Sequence, residues 1–383
     1  MESCDFLIIG AGMAGASVGY ELAARGRVIV LEAEDAPGYH STGRSAAQFL
    51  ETYGNGVIRR LTRASRPFYE APPEGFAELP LLAPRPALFI ARESQLDALA
   101  RFERDSRALT PDIARLTPRE MIELVPVLRP DYVAAGVLET KAMDIDVHAL
   151  HQGYLRGLRA RGGRLVVKAA AESMVRGDGI WRVETRAGDF AAPVVVNAAG
   201  AWADAVGRLA GGGSIGLVAK RRTVITFDGP NGLDPRHWPL VADVLVDFYF
   251  KPESGRILAS PADETPVPPC DARPDELDIA HTVDRIETAT TLQVRRIASK
   301  WAGLRSFVAD KTLVIGFDTR AEGLFWLAGQ GGYGIQTAPA AARLAAALAT
   351  HEPVPQDIAD LGLSARDLAP QRLIARASLS PSV

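Results

Sequence analysis

The N-terminal segment, residues 5–32, constrains the fold of this chain more than any other part. An apolar run of strand length at 5–9 leads directly into Gly-Ala-Gly-Met-Ala-Gly at 10–15. A helical pattern at 16–25 is followed by Gly26 and a second apolar run, which ends on Glu32. This order of strand, glycine turn, helix, strand and terminal acid predicts a βαβ unit that binds the ADP portion of a dinucleotide.

Each glycine of the motif, and the acid that ends it, has a physical role. Gly10 permits the tight turn, Gly12 lets a pyrophosphate approach the backbone, and Gly15 lets the helix pack closely on the strand. The N–H groups and the positive end of the helix dipole face the phosphates. Glu32 suits two ribose hydroxyls and would repel a 2′-phosphate. The unit predicts ADP binding in general, because FAD and NAD share it.

Bulk properties exclude several classes of function. The 383 residues are enough for two domains, and 47% of them are hydrophobic. The formal net charge of −3 gives no indication of a nucleic-acid or acidic-membrane partner. Two cysteines, Cys4 and Cys270, favour a reducing compartment. A strand beginning at residue 5 leaves no room for a secretory signal, and the apolar tract 338–349 is too short to span a bilayer. We expect a cytoplasmic protein without a membrane span or metal site.

The remaining pattern predicts an α/β, or two-domain α+β, protein. A second glycine loop at 329–335 follows a strand at 324–328 and precedes a helix at 336–349. Glycine loops at both ends of the chain favour FAD over NAD, because both would contact one extended ligand. We predict a Rossmann-like FAD-binding domain of residues 1–48, 142–218 and 307–374. A mixed-sheet substrate domain, 49–141 and 219–306, is inserted into it, and residues 375–383 form a mobile tail.

A small-residue loop follows the first βαβ unit. It runs from residue 36 to Ala47, and a helix is expected to open after it. Its small side chains allow close approach of a flat ligand. Ser41, Arg44 and Ser45 can donate hydrogen bonds to phosphates or ring heteroatoms.

Together with the N-terminal unit, four further motifs carry a family resemblance. They are Ser-Thr-Gly-Arg-Ser-Ala-Ala at 41–47, Asn-Ala-Ala-Gly-Ala-Trp at 197–202, Trp-Ala-Gly-Leu-Arg at 301–305 and Gly-Gly-Tyr-Gly-Ile-Gln-Thr at 331–337. The chain resembles the D-amino-acid oxidase superfamily of FAD-dependent amine and amino-acid oxidoreductases. Within it, the chain looks most like the bacterial D-arginine dehydrogenases over nearly its whole length, including the segments 39–44 and 150–157.

The resemblance implies a non-covalent FAD, since neither cysteine lies in a motif for covalent attachment. The implied cofactor-binding residues are Gly10, Gly12, Ala14, Gly15, Glu32, Ala33, Ser41, Thr42, Arg44, Ser45, Ala46, Ala47, Gln48, Ala171, Gly200, Trp202, Gly331, Gly332, Tyr333, Gly334, Ile335, Gln336 and Thr337. Those of the last glycine loop would place amide groups and a helix N-terminus at the flavin.

The resemblance also implies a carboxylate clamp made of Arg222 and Arg305 with Tyr53 and Tyr249. The implied substrate-pocket residues are Gln48, Leu50, Ala87, Leu240, Ala242 and Gly332. D-Arginine dehydrogenases carry an acid where this chain has Ala87. A buried cation without a partner is costly, so we expect a preference for uncharged, apolar D-amino acids.

The expected reaction is oxidation of the D-amino acid at its α-carbon to the imino acid, which water converts to the 2-oxo acid and ammonia. Gln48 cannot act as a base, because its amide does not titrate in this range. The electron acceptor is left open among a quinone, a dye and O₂. Three alternatives stay open: a glycine, sarcosine or other N-alkyl amino-acid oxidase, a 2-hydroxy-acid dehydrogenase, and a flavin-binding protein without turnover.

Overall fold

The computed structural model describes residues 1–373 and is built around two large sheets. The strands are β1 (Glu2–Ser3), β2 (Phe6–Ile9), β3 (Val28–Leu31), β4 (Gln48–Phe49), β5 (Leu82–Pro84), β6 (Ala87–Ala91), β7 (Ile113–Leu116), β8 (Ala135–Glu139), β9 (Met143–Ile145), β10 (Arg164–Val166), β11 (Ser173–Gly177), β12 (Ile180–Thr185), β13 (Gly188–Ala192), β14 (Val194–Asn197), β15 (Val218–Asp228), β16 (Leu240–Asp243), β17 (Tyr249–Glu253), β18 (Arg256–Ser260), β19 (Ile297–Phe307), β20 (Val314–Phe317) and β21 (Leu324–Ala328).

The helices are α1 (Met13–Leu22), α2 (Gly56–Glu70), α3 (Leu96–Arg107), α4 (Pro118–Leu124), α5 (Val147–Ala160), α6 (Ala203–Leu209), α7 (Glu276–Ala289), α8 (Gly334–Ala349) and α9 (Gln356–Ala359). Short 3₁₀ helices lie at Glu93–Gln95, Gly200–Trp202, Pro235–His237 and Ala365–Asp367. Within residues 1–373, no helix is long and apolar enough to cross a bilayer.

A six-stranded sheet in the order β10-β3-β2-β14-β21-β20 carries the predicted dinucleotide unit. Its strands are parallel except for β20, which is antiparallel to β21. The side chains of β2 and β3 are buried throughout, as expected for parallel strands covered on both faces. Helix α1 packs against α5 and α8. A Cβ on Gly15 would collide with the carbonyl oxygen of Gly10, so glycine is what lets α1 lie on the turn.

An eight-stranded sheet in the order β19-β15-β18-β17-β16-β6-β8-β7 faces the carboxyl ends of the first sheet's strands. Neighbouring strands are antiparallel, apart from the parallel pair β16 and β6. Because side chains alternate along a strand, Arg222 and Val224 of β15 project from the same face. Gly303 lies directly opposite Arg222, so Arg305, two residues along β19, projects from that face too.

Two smaller sheets complete the fold. One has the order β1-β13-β12-β11, and its β11–β12 hairpin turns at Gly177-Asp178-Gly179. The other has the order β4-β9-β5. The prediction of a helix opening after Ala47 is wrong, because Gln48–Phe49 is a strand that pairs with Met143–Asp144 of β9.

The predicted α/β class with a Rossmann-like sheet and a second mixed sheet is confirmed. The six-stranded sheet takes its strands from the chain segments 6–31, 164–197 and 314–328, and the eight-stranded sheet from 87–139 and 218–307. The domain boundaries themselves stay predictions. The predicted mobile tail at 375–383 lies outside the described residues.

Candidate functional site

A cavity of about 610 Å³ lies between the two large sheets. Its walls include the ends of the parallel strands, at Ile9 and Leu31, and the face of the eight-stranded sheet, at Arg222 and Tyr249. Ligands in open α/β sheets bind beyond the carboxyl ends of the strands, so this is the expected position of a dinucleotide.

Most of the predicted site residues line this cavity. They are Gly10, Gly12, Ala14, Glu32, Ala33, Ser41, Thr42, Arg44, Ser45, Ala46, Ala171, Gly200, Trp202, Arg222, Tyr249, Arg305, Gly331, Gly332, Gly334 and Ile335. The other predicted residues are not part of its lining: Gly15, Ala47, Gln48, Leu50, Tyr53, Ala87, Leu240, Ala242, Tyr333, Gln336 and Thr337.

The glycine turn before α1 forms a backbone cradle. The Thr42 hydroxyl accepts a hydrogen bond from the Met13 N–H at 2.9 Å, so the small-residue loop lies over the start of the helix. A Cβ on Gly12 would come within 3.3 Å of that hydroxyl oxygen. An open turn at a helix N-terminus fits a pyrophosphate, since N–H groups and the helix dipole favour an anion there.

The Glu32 carboxylate stands at the end of β3 and is buried. It accepts hydrogen bonds from the Ala11 N–H at 2.9 Å and the Glu34 N–H at 3.0 Å. Glu32 therefore braces the glycine turn as well as facing the cavity. A carboxylate has more acceptor positions than these two donors use, so it can also accept from ribose hydroxyls.

The side chains of Ser41 and Arg44 have protein partners in this structure. Ser41 donates to the Leu304 carbonyl oxygen at 2.6 Å. Arg44 donates to the carbonyl oxygens of Ala272 and Ala302 and pairs with a carboxylate oxygen of Asp271 at 2.5 Å. These contacts join the small-residue loop to the eight-stranded sheet. The predicted donation from both side chains to a ligand would compete with these bonds.

The second glycine loop forms the opposite wall. Gly331 has a φ of +52° and donates its N–H to the Ser306 carbonyl oxygen at 2.8 Å. Helix α8 then begins at Gly334 with its N-terminus at the cavity, where Gly334 and Ile335 are lining residues. The dipole of this 16-residue helix favours negative charge on a ligand at that wall.

Arg222 is a buried guanidinium in the wall of the cavity. Its side chain is 6% exposed, and among the described residues its Nε and Nη1 have no hydrogen-bond partner. The nearest carboxylate to its Nη2 is that of Glu264, at 3.6 Å. Burial lowers the pKa of the Arg222 guanidinium, and the positive charge of Arg305 lowers it further. Buried donors without partners are rare and costly, so this geometry points to an anionic ligand.

Arg305 is held by an aromatic pair. Its Nη1 donates to the Tyr53 hydroxyl at 3.1 Å. The Tyr53 ring meets the Tyr333 ring edge to face, with centroids 4.9 Å apart. Although Tyr53 does not line the cavity, its hydroxyl reaches a residue that does. The structure thus brings Tyr53, Arg222, Tyr249 and Arg305 to one end of the cavity.

The predicted pocket residues Leu50, Ala87, Leu240 and Ala242 form an apolar cluster with Tyr249 and Val224. Each of the four is buried, and the cavity reaches Val224 and Tyr249 but not the four residues themselves. This apolar cluster therefore backs the cavity wall at Val224 and Tyr249, beside the two guanidiniums.

Sequence reasoning missed several lining residues, including Met13, Glu34, His40, Ala169 and Gln330. The rule that ligands lie at the carboxyl ends of parallel strands could have found Ala169, which follows β10. The Trp202 ring lies 4.6 Å from the His40 ring, and His40 contacts Glu34 at 2.9 Å. The contact between the His40 and Trp202 rings joins two distant segments of the chain, so no sequence pattern within either segment indicates it.

Comparison with known proteins agrees with this architecture. The model of the family DAO, FAD dependent oxidoreductase, matches residues 5–348. Dimethylglycine dehydrogenase of Rattus norvegicus is 31% identical over 148 residues, which are 38% of this chain and 17% of that protein. The chain spans 17% to 63% of the length of the first curated relatives.

Two solved structures are similar over almost the whole chain. Glycine oxidase from Geobacillus kaustophilus is 22% identical with a TM-score of 0.81, covering 92% of this chain and 96% of that one. L-proline dehydrogenase from P. horikoshii is 19% identical with a TM-score of 0.83, covering 98% and 99%. At these identities the likeness shows the fold, and the resemblance to D-arginine dehydrogenases stays a prediction. By the family match, this chain belongs to the FAD-dependent oxidoreductases of the DAO family.

Proposed function

We propose that this chain oxidises a small, uncharged D-amino acid to its imino acid, which water converts to a 2-oxo acid and ammonia. The observation that carries the proposal is the pair of guanidiniums, Arg222 and Arg305, at one end of the cavity, with two buried donors of Arg222 unpartnered among the described residues. A planar guanidinium pairs bidentately with a carboxylate, so this end of the cavity suits the α-carboxylate of an amino acid.

Different parts of the cavity wall would hold the two halves of FAD. Gly10, Gly12 and Glu32 would hold the ADP half of FAD, and the wall at Gly331 and Ile335 would face the flavin. Bound FAD supplies the two-electron acceptor for the hydride that leaves Cα. The substrate nitrogen gives up a proton in the same overall reaction.

The carboxylate clamp would fix the orientation of Cα. Arg222 would donate to the carboxylate from its unpartnered N–H groups, while the Tyr53 and Tyr249 hydroxyls would add donors. Holding the reacting carbon in one position lowers the barrier by removing the entropic cost of alignment. Gln48 has no titrating group, so the amine proton would pass to water.

The apolar cluster beside the two guanidiniums supports an uncharged substrate side chain. Ala87 provides no charge. Glu139, directly opposite Ala87, already accepts hydrogen bonds from the Glu51 N–H and the Thr52 hydroxyl, and Lys251 already contacts Asp144 at 2.7 Å and Glu253 at 3.0 Å. A substrate guanidinium placed there would lose its hydration without gaining a free counter-ion, which is unfavourable. The D configuration is taken from the resemblance of the motifs.

The same cavity end also supports a second candidate, a glycine or N-alkyl amino-acid oxidase. Such substrates have little or no side chain, and Leu50, Ala87, Leu240 and Ala242 of the apolar cluster do not line the cavity. A 2-hydroxy acid would use the same clamp and remains the third candidate.

A substrate panel with a dye as electron acceptor tests the proposal. The purified holoenzyme is assayed with D- and L-alanine, D-arginine, glycine, sarcosine and D-lactate at matched concentrations. The proposal predicts the highest kcat/KM with D-alanine and a much lower value with D-arginine. A maximum with sarcosine or with lactate would select the corresponding alternative, and a maximum with D-arginine would contradict the proposal.

A further inference from the structure

Glu139 is a buried acid that sequence reasoning did not single out. It is 3% exposed and lies at the end of β8, directly opposite Ala87 of β6. Its Oε1 accepts a hydrogen bond from the Glu51 N–H at 2.8 Å, and its Oε2 accepts one from the Thr52 hydroxyl at 2.5 Å. Both carboxylate oxygens are therefore bonded to the segment between β4 and α2, residues 50–55.

Segment 50–55 contains Tyr53, whose hydroxyl accepts a hydrogen bond from Arg305. The Gln336 amide holds one end of the segment, by donating to the Leu50 carbonyl oxygen at 3.2 Å. The other end is fixed by Asn55, whose side chain caps α2 and also donates to the Thr312 hydroxyl at 2.8 Å. Glu139 holds the centre of the segment, at the two residues before Tyr53.

Two roles are possible for an acid at this position. Because Ala87 lies opposite it, Glu139 could serve as the counter-charge for a cationic substrate side chain. Its bonding favours an anchoring role instead, since each oxygen already accepts from the segment. Burial also raises the pKa of the Glu139 carboxyl, which weakens its use as a permanent negative charge.

We propose that Glu139 is a positioning residue: it holds Thr52 and the Glu51 backbone so that the Tyr53 hydroxyl stays on Arg305 at the carboxylate end of the cavity. The anchoring of segment 50–55 is independent of the proposed function, whereas its effect on substrate binding rests on the carboxylate clamp.

The variants Glu139→Gln and Thr52→Val remove parts of the anchor with little change in size. Asp243→Asn is a matched control, because Asp243 is also a buried acid in the eight-stranded sheet. Like Glu139, it accepts one hydrogen bond from a backbone N–H, that of Leu245, and one from a side chain, that of Gln95. Propionate, a simple carboxylate, is titrated into each holoenzyme, and the shift of flavin absorbance gives its Kd.

The proposal predicts that Glu139→Gln and Thr52→Val each raise the Kd of propionate and the KM of the amino acid about five- to tenfold, the usual effect of losing one hydrogen bond. The kcat of each variant should change less than twofold. The Asp243→Asn enzyme keeps the wild-type Kd. In a Tyr53→Phe background, Glu139→Gln produces little further loss, because it acts through Tyr53. If the two losses multiply, or if Glu139→Gln weakens only D-arginine or D-lysine, the positioning role is wrong.

Hydrogen–deuterium exchange of the peptide that contains residues 50–55 provides the readout that needs no substrate. Faster exchange in Glu139→Gln than in wild type and Asp243→Asn supports the anchor, and unchanged exchange overturns it. If wild-type protein binds no propionate and oxidises no amino acid while exchange still rises in Glu139→Gln, the proposed function and the effect on substrate binding fail and the anchor stands.

Discussion

The Tyr53 hydroxyl and the Arg305 guanidinium form a 3.1 Å hydrogen bond between residues 252 positions apart, and Gly332 leaves the room for it. A Cβ on Gly332 would lie 2.9 Å from the Tyr53 hydroxyl oxygen and 3.0 Å from the Arg305 Nη1. The second glycine loop therefore shapes the end of the cavity beside Arg305 by having no side chain at this position.

Gly332→Ala should displace the Tyr53–Arg305 pair. Because the new methyl group pushes against the ends of two flexible side chains, the fold should survive while KM rises about tenfold, the effect of one disturbed hydrogen bond. Steady-state kinetics and the FAD content of the purified protein measure the two effects. Gly56→Ala, at an open position at the start of α2, is the control. An unchanged KM in Gly332→Ala would show that the pair does not contribute to substrate binding.

Arg222→Met should separate activity from stability. Losing the buried partner of a carboxylate costs about 3 kcal/mol, so kcat/KM should fall by roughly two orders of magnitude. The same change removes a buried, incompletely paired charge, so the Tm of the substrate-free protein should rise. Activity assays and thermal unfolding measure both quantities.

The neighbouring Arg221 is the matched control for Arg222. It faces the other side of β15 and pairs with Asp278 at 2.7 Å. Arg221→Gln should lower the Tm and leave KM near the wild-type value. Equal losses of kcat/KM in both variants would mean that Arg222 acts through the structure and not through the substrate.

Glu32→Gln should weaken FAD binding. The carboxylate accepts from the N–H groups of Ala11 and Glu34, and the amide that replaces it offers one acceptor oxygen instead of two. We expect a rise of about tenfold in the Kd of FAD, measured by fluorescence titration of the apoprotein. Asp35→Asn, at an exposed residue paired with Lys168 at 3.2 Å, should leave the Kd unchanged. The assignment of Glu32 fails if both variants bind FAD like wild type.

The free energy of unfolding should decrease at acid pH because the His151 ring is buried. Its Nε2 lies 2.9 Å from the Ala11 carbonyl oxygen, and burial lowers the pKa of the ring below its usual value near 6.5. Below that value the unfolded chain binds a proton that the folded ring does not, so the free energy of unfolding decreases as the pH falls from about 7 towards the folded pKa, by at most about 1.4 kcal/mol per pH unit.

Urea unfolding across pH 5.5 to 7.5 tests this dependence. His151→Gln can still donate to Ala11 but cannot titrate, so the free energy of unfolding should depend less on pH in this range than in wild type. His281→Gln, at an exposed position of α7, should retain the wild-type dependence. Parallel curves for wild type and His151→Gln would contradict the role of His151.

Local sequence patterns identified the elements whose signal lies within one segment. The strand at 324–328 is found as predicted, because it is a short apolar run bounded by glycines. Helix α1 begins at Met13 instead of residue 16, because the glycine turn itself enters the helix and the Thr42 hydroxyl binds the first N–H.

The pairings between distant segments were not predictable in the same way. Gln48–Phe49 is a strand because residues 143–144 lie beside it, and no pattern within residues 41–50 indicates that partner. Arg44 faces Asp271, and Glu139 faces Thr52, only after the chain has folded. The residues of the proposed carboxylate clamp came from the family resemblance, while the unpartnered donors of Arg222 are seen only in the structure.

Anaerobic reduction of the bound flavin tests the central claim most directly. D-alanine is added to holoenzyme without an electron acceptor, and the visible flavin absorbance is followed in wild type and in Arg222→Met with equal FAD content. We predict saturable bleaching in wild type and, in the variant, bleaching only at concentrations roughly a hundredfold higher. Bleaching of both proteins at the same concentrations, or of neither by any amino acid, would contradict a carboxylate clamp at Arg222 and Arg305.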